Sequence, residues 1–133
     1  MSYARPSSLP EAIRLLQAGP ARILAGGTDL YPAAGMQLDG DVLDLTGISA
    51  LNGVTQSGGL RIGACTTWTA LADATLPPAL RALQQAARQV GGRQVQVAGT
   101  LGGNLCNASP AADGVPPLLV LGAEVELASA IGT

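Results

Sequence analysis

Residues Gly99 to Asp113 read Gly-Thr-Leu-Gly-Gly-Asn-Leu-Cys-Asn-Ala-Ser-Pro-Ala-Ala-Asp. Gly99, Gly102 and Gly103 let the main chain approach a ligand closely and present N–H donors. Thr100, Asn104, Asn107 and Ser109 add neutral polar contacts, and Asp113 adds one negative charge. The stretch holds no catalytic acid, base or nucleophile in a working arrangement. Its residue types suit holding an extended, phosphate-bearing nucleotide better than attacking a substrate. It has a second reading, as an irregular loop in which Ser109 caps a helix that starts at Pro110.

Composition narrows the chemistry around this segment. The chain has 133 residues, 47% hydrophobic and 12% charged, with a formal net charge of −2, which fits one folded domain with a real core. All seven cations are arginines, scattered from Arg5 to Arg93, so no basic footprint for nucleic acid or anionic membrane exists. Without histidine or lysine, a Ser-His-Asp or Cys-His arrangement, a P-loop and a Schiff base are all excluded. Cys65 and Cys106 cannot supply a four-thiolate cluster, and no metal ligand set is expected. No G-x-G occurs, so the usual Rossmann fingerprint is missing. The longest apolar runs fall well short of the roughly 20 residues of a membrane helix, and no signal-peptide layout opens the chain. The expected location is the cytoplasm.

Working outward, Ser8-Leu9-Pro10-Glu11 has the form of a capping box and predicts a helix that Gly19-Pro20 stops. Arg22 to Ala25 reads as a buried strand that runs into Gly26-Gly27, with a short helix from Asp29 to Met36 after it. Val42 to Leu45 predicts another strand. Val54–Gln56 and Leu60–Gly63 around Ser57-Gly58-Gly59 predict a hairpin. Thr67 is set to cap a helix through Asp73. Pro77-Pro78 opens a longer helix whose Leu80, Leu83, Ala87 and Val90 share one face. The opening segment follows as a loop, then a helix from Gly114 to Leu121, then a half-exposed strand from Glu124 to Ala128. Ser129 to Thr133 offers no turn or closing element.

Ala25-Gly26-Gly27-Thr28-Asp29 is the second candidate. Its N–H groups and the Thr28 hydroxyl form a possible phosphate cradle, or it is a plain strand-to-helix turn capped by Asp29. Two glycine-rich segments in one small domain fit a dinucleotide whose pyrophosphate is held from two sides. Arg93 reads as a solvated surface residue, with phosphate neutralisation as its alternative. Trp68 reads as core, with ring stacking as its alternative, and the cysteines as small buried side chains.

The pairing of Ala25 to Leu30 (AGGTDL) with Thr100 to Asp113 (TLGGNLCNASPAAD), with Leu60 to Leu71 (LRIGACTTWTAL) between them, resembles the FAD-binding domain of molybdenum hydroxylases. That is the flavoprotein or medium subunit of the xanthine dehydrogenase and carbon monoxide dehydrogenase type, within the wider PCMH group of FAD proteins. The resemblance covers nearly the whole chain. It implies an α+β fold: a small α/β subdomain over residues 1–53, and a mixed or antiparallel sheet flanked by helices over 54–133. It implies FAD held non-covalently, with Leu24, Ala25, Gly26, Gly27, Thr28, Asp29 and Leu30 forming one wall. Thr100, Leu101, Gly102, Gly103 and Asn104 form the other, with Asn107 and Asp113 toward the cofactor and Asp113 suited to the ribose hydroxyls. No residue of the chain itself is catalytic. The implied partners are a molybdopterin-binding large subunit and a 2Fe–2S small subunit, from whose clusters FAD collects electrons for NAD or another acceptor.

Two departures stand beside the resemblance. Gln96 and Val97 occupy positions where the family commonly carries Arg-Asn, which removes a charge near the nucleotide. Family members also continue past the strand matching Glu124 to Ala128, so the chain is expected to be truncated and its second subdomain incomplete. The alternative is therefore a non-catalytic remnant that self-associates through an unfinished sheet edge and binds no flavin.

Overall fold

The computed structural model describes residues 2–35 and 37–133. Three short parallel strands, β1 (Tyr3–Ala4), β2 (Arg22–Leu24) and β3 (Val42–Asp44), form one sheet in the order β1-β3-β2. Tyr3 pairs with Val42 on one side of β3, and Arg22, Ile23 and Leu24 pair with Val42, Leu43 and Asp44 on the other. Parallel neighbours need crossover connections, and the sequence supplies them. Helix α1 (Leu9–Ala18) joins β1 to β2, and α2 (Leu30–Ala34) lies between β2 and β3.

The α1 start forms as a capping box does, with one variation. Ser8 Oγ accepts the Glu11 N–H at 3.3 Å, while the Glu11 carboxylate returns to the N–H of Ser7 instead of Ser8. Ala12 of α1 packs with Leu43 and Ile48, and Ala4, Leu15, Ala21, Leu45 and Leu51 close this first hydrophobic cluster.

The chain then enters an antiparallel hairpin of β4 (Val54–Gln56) and β5 (Leu60–Ile62), followed by α3 (Trp68–Asp73), which Thr67 caps through the Ala70 N–H. The helix expected from Pro77 divides into a 3-10 turn, Pro78–Leu80, and α4 (Arg81–Ala87). Its predicted face is correct: Leu80, Leu83, Ala87 and Val90 are buried with Trp68, Leu71, Ala72 and Leu101 in the second cluster. Side chains from α4 and its end satisfy the last carbonyls of α3. The Gln84 amide donates to Leu71 and Ala74, and the Arg88 guanidinium to Ala72 at 2.7 Å.

Several elements differ from expectation. Residues 93–107 form two short helices, α5 (Arg93–Ala98) and α6 (Leu101–Asn107), joined by extended backbone at Gly99-Thr100, where Thr100 bridges Thr67; the loop expected from Gly99 onward is thus helical over Leu101–Asn107. No helix starts at Pro110. Ser109 Oγ accepts the Ala111 N–H in a turn, and the last helix, α7, spans Val115–Val120. Helix α2 is shorter than predicted, and Met36, its expected end, lies outside the described residues. Glu124 to Ala128 is not a strand, because among the described residues no strand pairs with it to supply a ladder. Ser129 and Gly132 exchange two backbone hydrogen bonds, closing a two-residue turn where none was expected.

Candidate functional site

The two glycine segments meet. Gly26 lies so close to the end of α5 that a Cβ there would strike the Ala98 carbonyl oxygen, with the Ala98 carbon at 2.7 Å and the Gly99 α-carbon at 2.9 Å. Thr28 Oγ1 lies 3.5 Å from where a Gly99 Cβ would stand. Backbone therefore packs on backbone, and only glycine at 26 allows it.

The first segment is a turn with uncommitted donors. Gly27 is left-handed at φ 75°, and its carbonyl accepts the Tyr31 N–H at 3.1 Å, while that of Asp29 accepts the Ala33 N–H. Among the described residues, the N–H groups of Gly26, Gly27, Thr28 and Asp29 meet no protein acceptor. Successive unpaired donors running through a left-handed glycine are the kind of backbone from which anion-binding concavities are built. Asp29 occupies the cap position of α2, yet its side chain makes no cap bond, so its carboxylate stays exposed and available. Leu24 is buried behind the turn at 4% exposure, and Leu30 opens α2.

The second segment is built differently. Leu101 N–H bonds the Thr66 carbonyl, Gly102 N–H the Ala64 carbonyl at 2.8 Å, Gly103 N–H the Thr100 hydroxyl at 3.0 Å, and Asn104 N–H the Thr100 carbonyl. These four donors are thus committed within the protein. Gly102 is needed for packing, since a Cβ there would stand 2.7 Å from the Ala64 carbonyl oxygen. Thr100, buried at 4%, caps α6, and Asn104 Oδ1 accepts the Gly114 N–H at 3.3 Å. What this wall can offer a ligand is the Asn104 amide nitrogen and the exposed Asn107 and Asp113 beyond it. Among the described residues no backbone hydrogen bond joins Asn107 or Asp113 to the first turn.

Trp68 resolves to core. It is 2% exposed, its ring touches the positions of Gly99 and Gly114, and its backbone N–H donates to the Gly99 carbonyl. Arg93 is exposed. Cys65 is buried, as expected, and burial followed by the Asp44 charge pushes its thiol up, whereas Cys106 is exposed on α6. Among the described residues no group of three or more His, Cys, Asp or Glu is placed to hold a metal, and no helix is long and apolar enough to cross a membrane. Sequence reasoning missed Ala64, Ala98 and Tyr31. Of these only Tyr31 left a signal, standing four residues after Gly27 on the same helical face.

The sequence matches, across residues 1–133, the family described as FAD binding domain in molybdopterin dehydrogenase. It is 37% identical over 137 residues to the xanthine dehydrogenase FAD-binding subunit of Escherichia coli O157:H7, covering 98% of this chain and 47% of that protein. Among solved structures, quinoline 2-oxidoreductase from Pseudomonas putida 86 superposes with a TM-score of 0.85 at 34% identity, over 99% of this chain and 48% of that one. Reconstituted CO dehydrogenase from Oligotropha carboxidovorans gives 0.85 at 32% identity, over 99% and 48%. The chain spans about half the length of the relatives it matches. With an α+β fold shared over nearly its whole length, this chain belongs to the FAD-binding domain family of the molybdopterin dehydrogenases.

Proposed function

We propose that the junction of Ala25–Asp29 with Gly99–Asn104 holds the pyrophosphate of FAD, and that the chain is the flavin-bearing part of a multi-subunit, molybdopterin-dependent oxidoreductase. The observation that carries this reading is the row of free N–H groups from Gly26 to Asp29, facing no protein acceptor at the junction the family match covers. Such donors fit a doubly charged pyrophosphate in a chain without lysine. The Thr28 hydroxyl and the Asn104 amide add neutral donors, and the Asp29 and Asp113 carboxylates are acceptors suited to ribose hydroxyls. FAD supplies the electron chemistry when bound, and the protein's part is position and electrostatics.

The rest of the reading follows from the kinship. A molybdopterin-binding large subunit and a 2Fe–2S small subunit are the proposed partners, NAD or another carrier the acceptor, and the cytoplasm the location. The chain alone is proposed to be inactive in substrate oxidation. The two hydrophobic clusters support a division into residues 1–53 and 54–133.

The test is titration of the purified chain with FAD, followed by flavin fluorescence and visible absorption. Stoichiometric quenching and a shifted, structured flavin band are expected. Fluorescence unchanged at FAD concentrations above about 100 μM would refute the reading.

A second reading, self-association without flavin, is favoured by the exposed Leu119, Val120, Val125, Leu127 and Ile131. Light scattering behind a sizing column separates it from the first: a flavin-free dimer supports it, and a flavin-bound monomer overturns it.

A further inference from the structure

The two walls of the proposed site are carried by different parts of the chain: the Ala25–Asp29 turn hangs from β2, and the Gly99–Asn104 wall opens α6. Between them in sequence runs Gly63–Thr67, which joins β5 to α3, and its hydrogen bonds go two ways. On one side the Gly63 N–H donates to the Gly53 carbonyl at 2.9 Å and the Cys65 N–H to the Leu51 carbonyl at 2.7 Å. On the other, the Ala64 and Thr66 carbonyls accept the Gly102 and Leu101 N–H groups at 2.8 and 3.0 Å. Within this stretch Thr66 reaches both sides. It is 2% exposed, and its hydroxyl accepts the Gly53 N–H at 2.9 Å and donates to the Gly53 carbonyl at 3.2 Å, while its own carbonyl holds Leu101.

The residues it ties belong to different cores. Leu51, two before Gly53, packs against the cluster of Ala12, Leu43 and Ile48, whereas Leu101 is buried in the cluster of Trp68, Leu71 and Leu83. A buried hydroxyl that donates and accepts at once has a fixed orientation, and losing it strands the Gly53 N–H. Leu101 is the first residue of α6, so a displacement there carries Gly102, Gly103 and Asn104 with it. We propose that Thr66 is a positioning residue: through Gly53 and Leu101 it fixes where the second wall stands relative to the first part of the chain, and with it the span open to a ligand that touches both walls. The inference rests on the nucleotide reading of those walls. Thr66 itself touches no ligand in it.

The test compares Thr66→Val and Thr66→Ser with Leu83→Val, a core variant remote from this seam, all held well below their melting temperatures. FAD affinity is read by flavin fluorescence, and amide exchange by NMR. Losing the Thr66 hydroxyl is expected to weaken FAD by about tenfold or more in Thr66→Val. Thr66→Ser and Leu83→Val are expected to stay within about twofold of the original. Exchange of the Leu101 and Gly102 N–H groups should rise about tenfold in Thr66→Val while the α4 amides keep their rates. Leu83→Val lowers stability without touching the seam, so a merely structural role for Thr66 would give the two valine variants the same FAD affinity, and that result overturns the proposal. An equal rise in exchange across α4 overturns it too. If the unsubstituted chain binds no FAD, the flavin reading fails, and the exchange pattern alone decides the positioning role. If Thr66→Val does not fold, exchange in the unsubstituted chain decides: Gly53, Leu101 and Gly102 opening as one unit supports the proposal, and independent opening of Gly53 and Leu101 overturns it.

Discussion

Gly26→Ala tests whether the two glycine segments are held together by backbone contact. The added methyl would overlap the Ala98 carbonyl oxygen and stand 2.7 and 2.9 Å from the Ala98 carbon and the Gly99 α-carbon. All three are main-chain atoms, so no rotamer change relieves them, and the two segments must part by the better part of an ångström. Overpacking costs about 1–3 kcal/mol, and a rigid backbone obstacle puts this case at the upper end, near 3 kcal/mol. At roughly 3–5 °C per kcal/mol for a domain of this size, the melting temperature should drop by about 10 °C. Two controls bracket the result. A Cβ on Gly19 meets nothing within 4 Å, and its backbone is extended at φ 168°, so Gly19→Ala should melt within about 2 °C of the original. Gly27→Ala must adopt φ 75°, which costs about 1–2 kcal/mol, but its obstacle is the Tyr31 ring, a side chain that can swing aside. The expected order of melting temperatures by circular dichroism is Gly19→Ala, Gly27→Ala, Gly26→Ala from highest to lowest. A Gly26→Ala protein that melts with the Gly19→Ala control would show that the segments do not touch.

Two further outcomes test the parts around the junction. Thr100→Val keeps the shape of a buried residue and removes the cap on the Gly103 N–H, which should cost about 1–2 kcal/mol and roughly 5 °C; Thr100→Ser should restore most of it, and equal melting of the valine variant and the original would refute the capping role. Burial pushes the Asp44 carboxyl up, but hydrogen bonds from Tyr3, from the Thr46 hydroxyl and N–H, and the Arg5 charge outweigh it and hold the group below its usual range. A depressed folded value makes the stabilisation complete above the unfolded value of about 3.9 and lost as pH falls through the lower folded one. The melting difference between the original and Asp44→Asn should therefore be constant from about pH 5 to pH 8 and close below about pH 4; a difference that widens in acid would overturn the assignment.

What could be read from the sequence was local. Ser8, Glu11 and Gly19 bound α1, Thr67 caps α3, and Ser57-Gly58-Gly59 turns the hairpin, because each acts through neighbours a few residues away. Leu80, Leu83, Ala87 and Val90 showed their face by helical spacing. Helix α6 was hidden by its own glycines: Gly102 and Gly103 each cost a helix about 1 kcal/mol, and the compensation comes from Ala64, thirty-eight residues back, whose carbonyl holds Gly102. Glu124 to Ala128 failed for the converse reason. Its alternation is a true strand signal, but a strand exists only with a neighbour, and none of the described residues pairs with it. At the site, the residue types of both walls were legible, while the division of labour between them was not, since it depends on which N–H groups the fold has already used.

That division gives the two adjacent glycines separate duties. Gly26 lets the first turn close on Ala98 and Gly99, so it builds the junction and touches stability first. Gly27, in the left-handed region, turns the chain within the stretch whose N–H groups, Gly26 to Asp29, meet no protein acceptor among the described residues, so in the proposed site it shapes the cradle. The two ion pairs among the described residues, Arg5–Asp44 and Arg61–Glu126, do not include residues 24–30 or 99–104, and no lysine exists to do so. An anion held there is held by oriented main-chain dipoles, which need no long side chain to be ordered when the ligand arrives. Damage at Gly26 should accordingly appear as lost melting temperature with binding lost in proportion, whereas damage at Gly27 should weaken anion binding by more than its effect on stability accounts for.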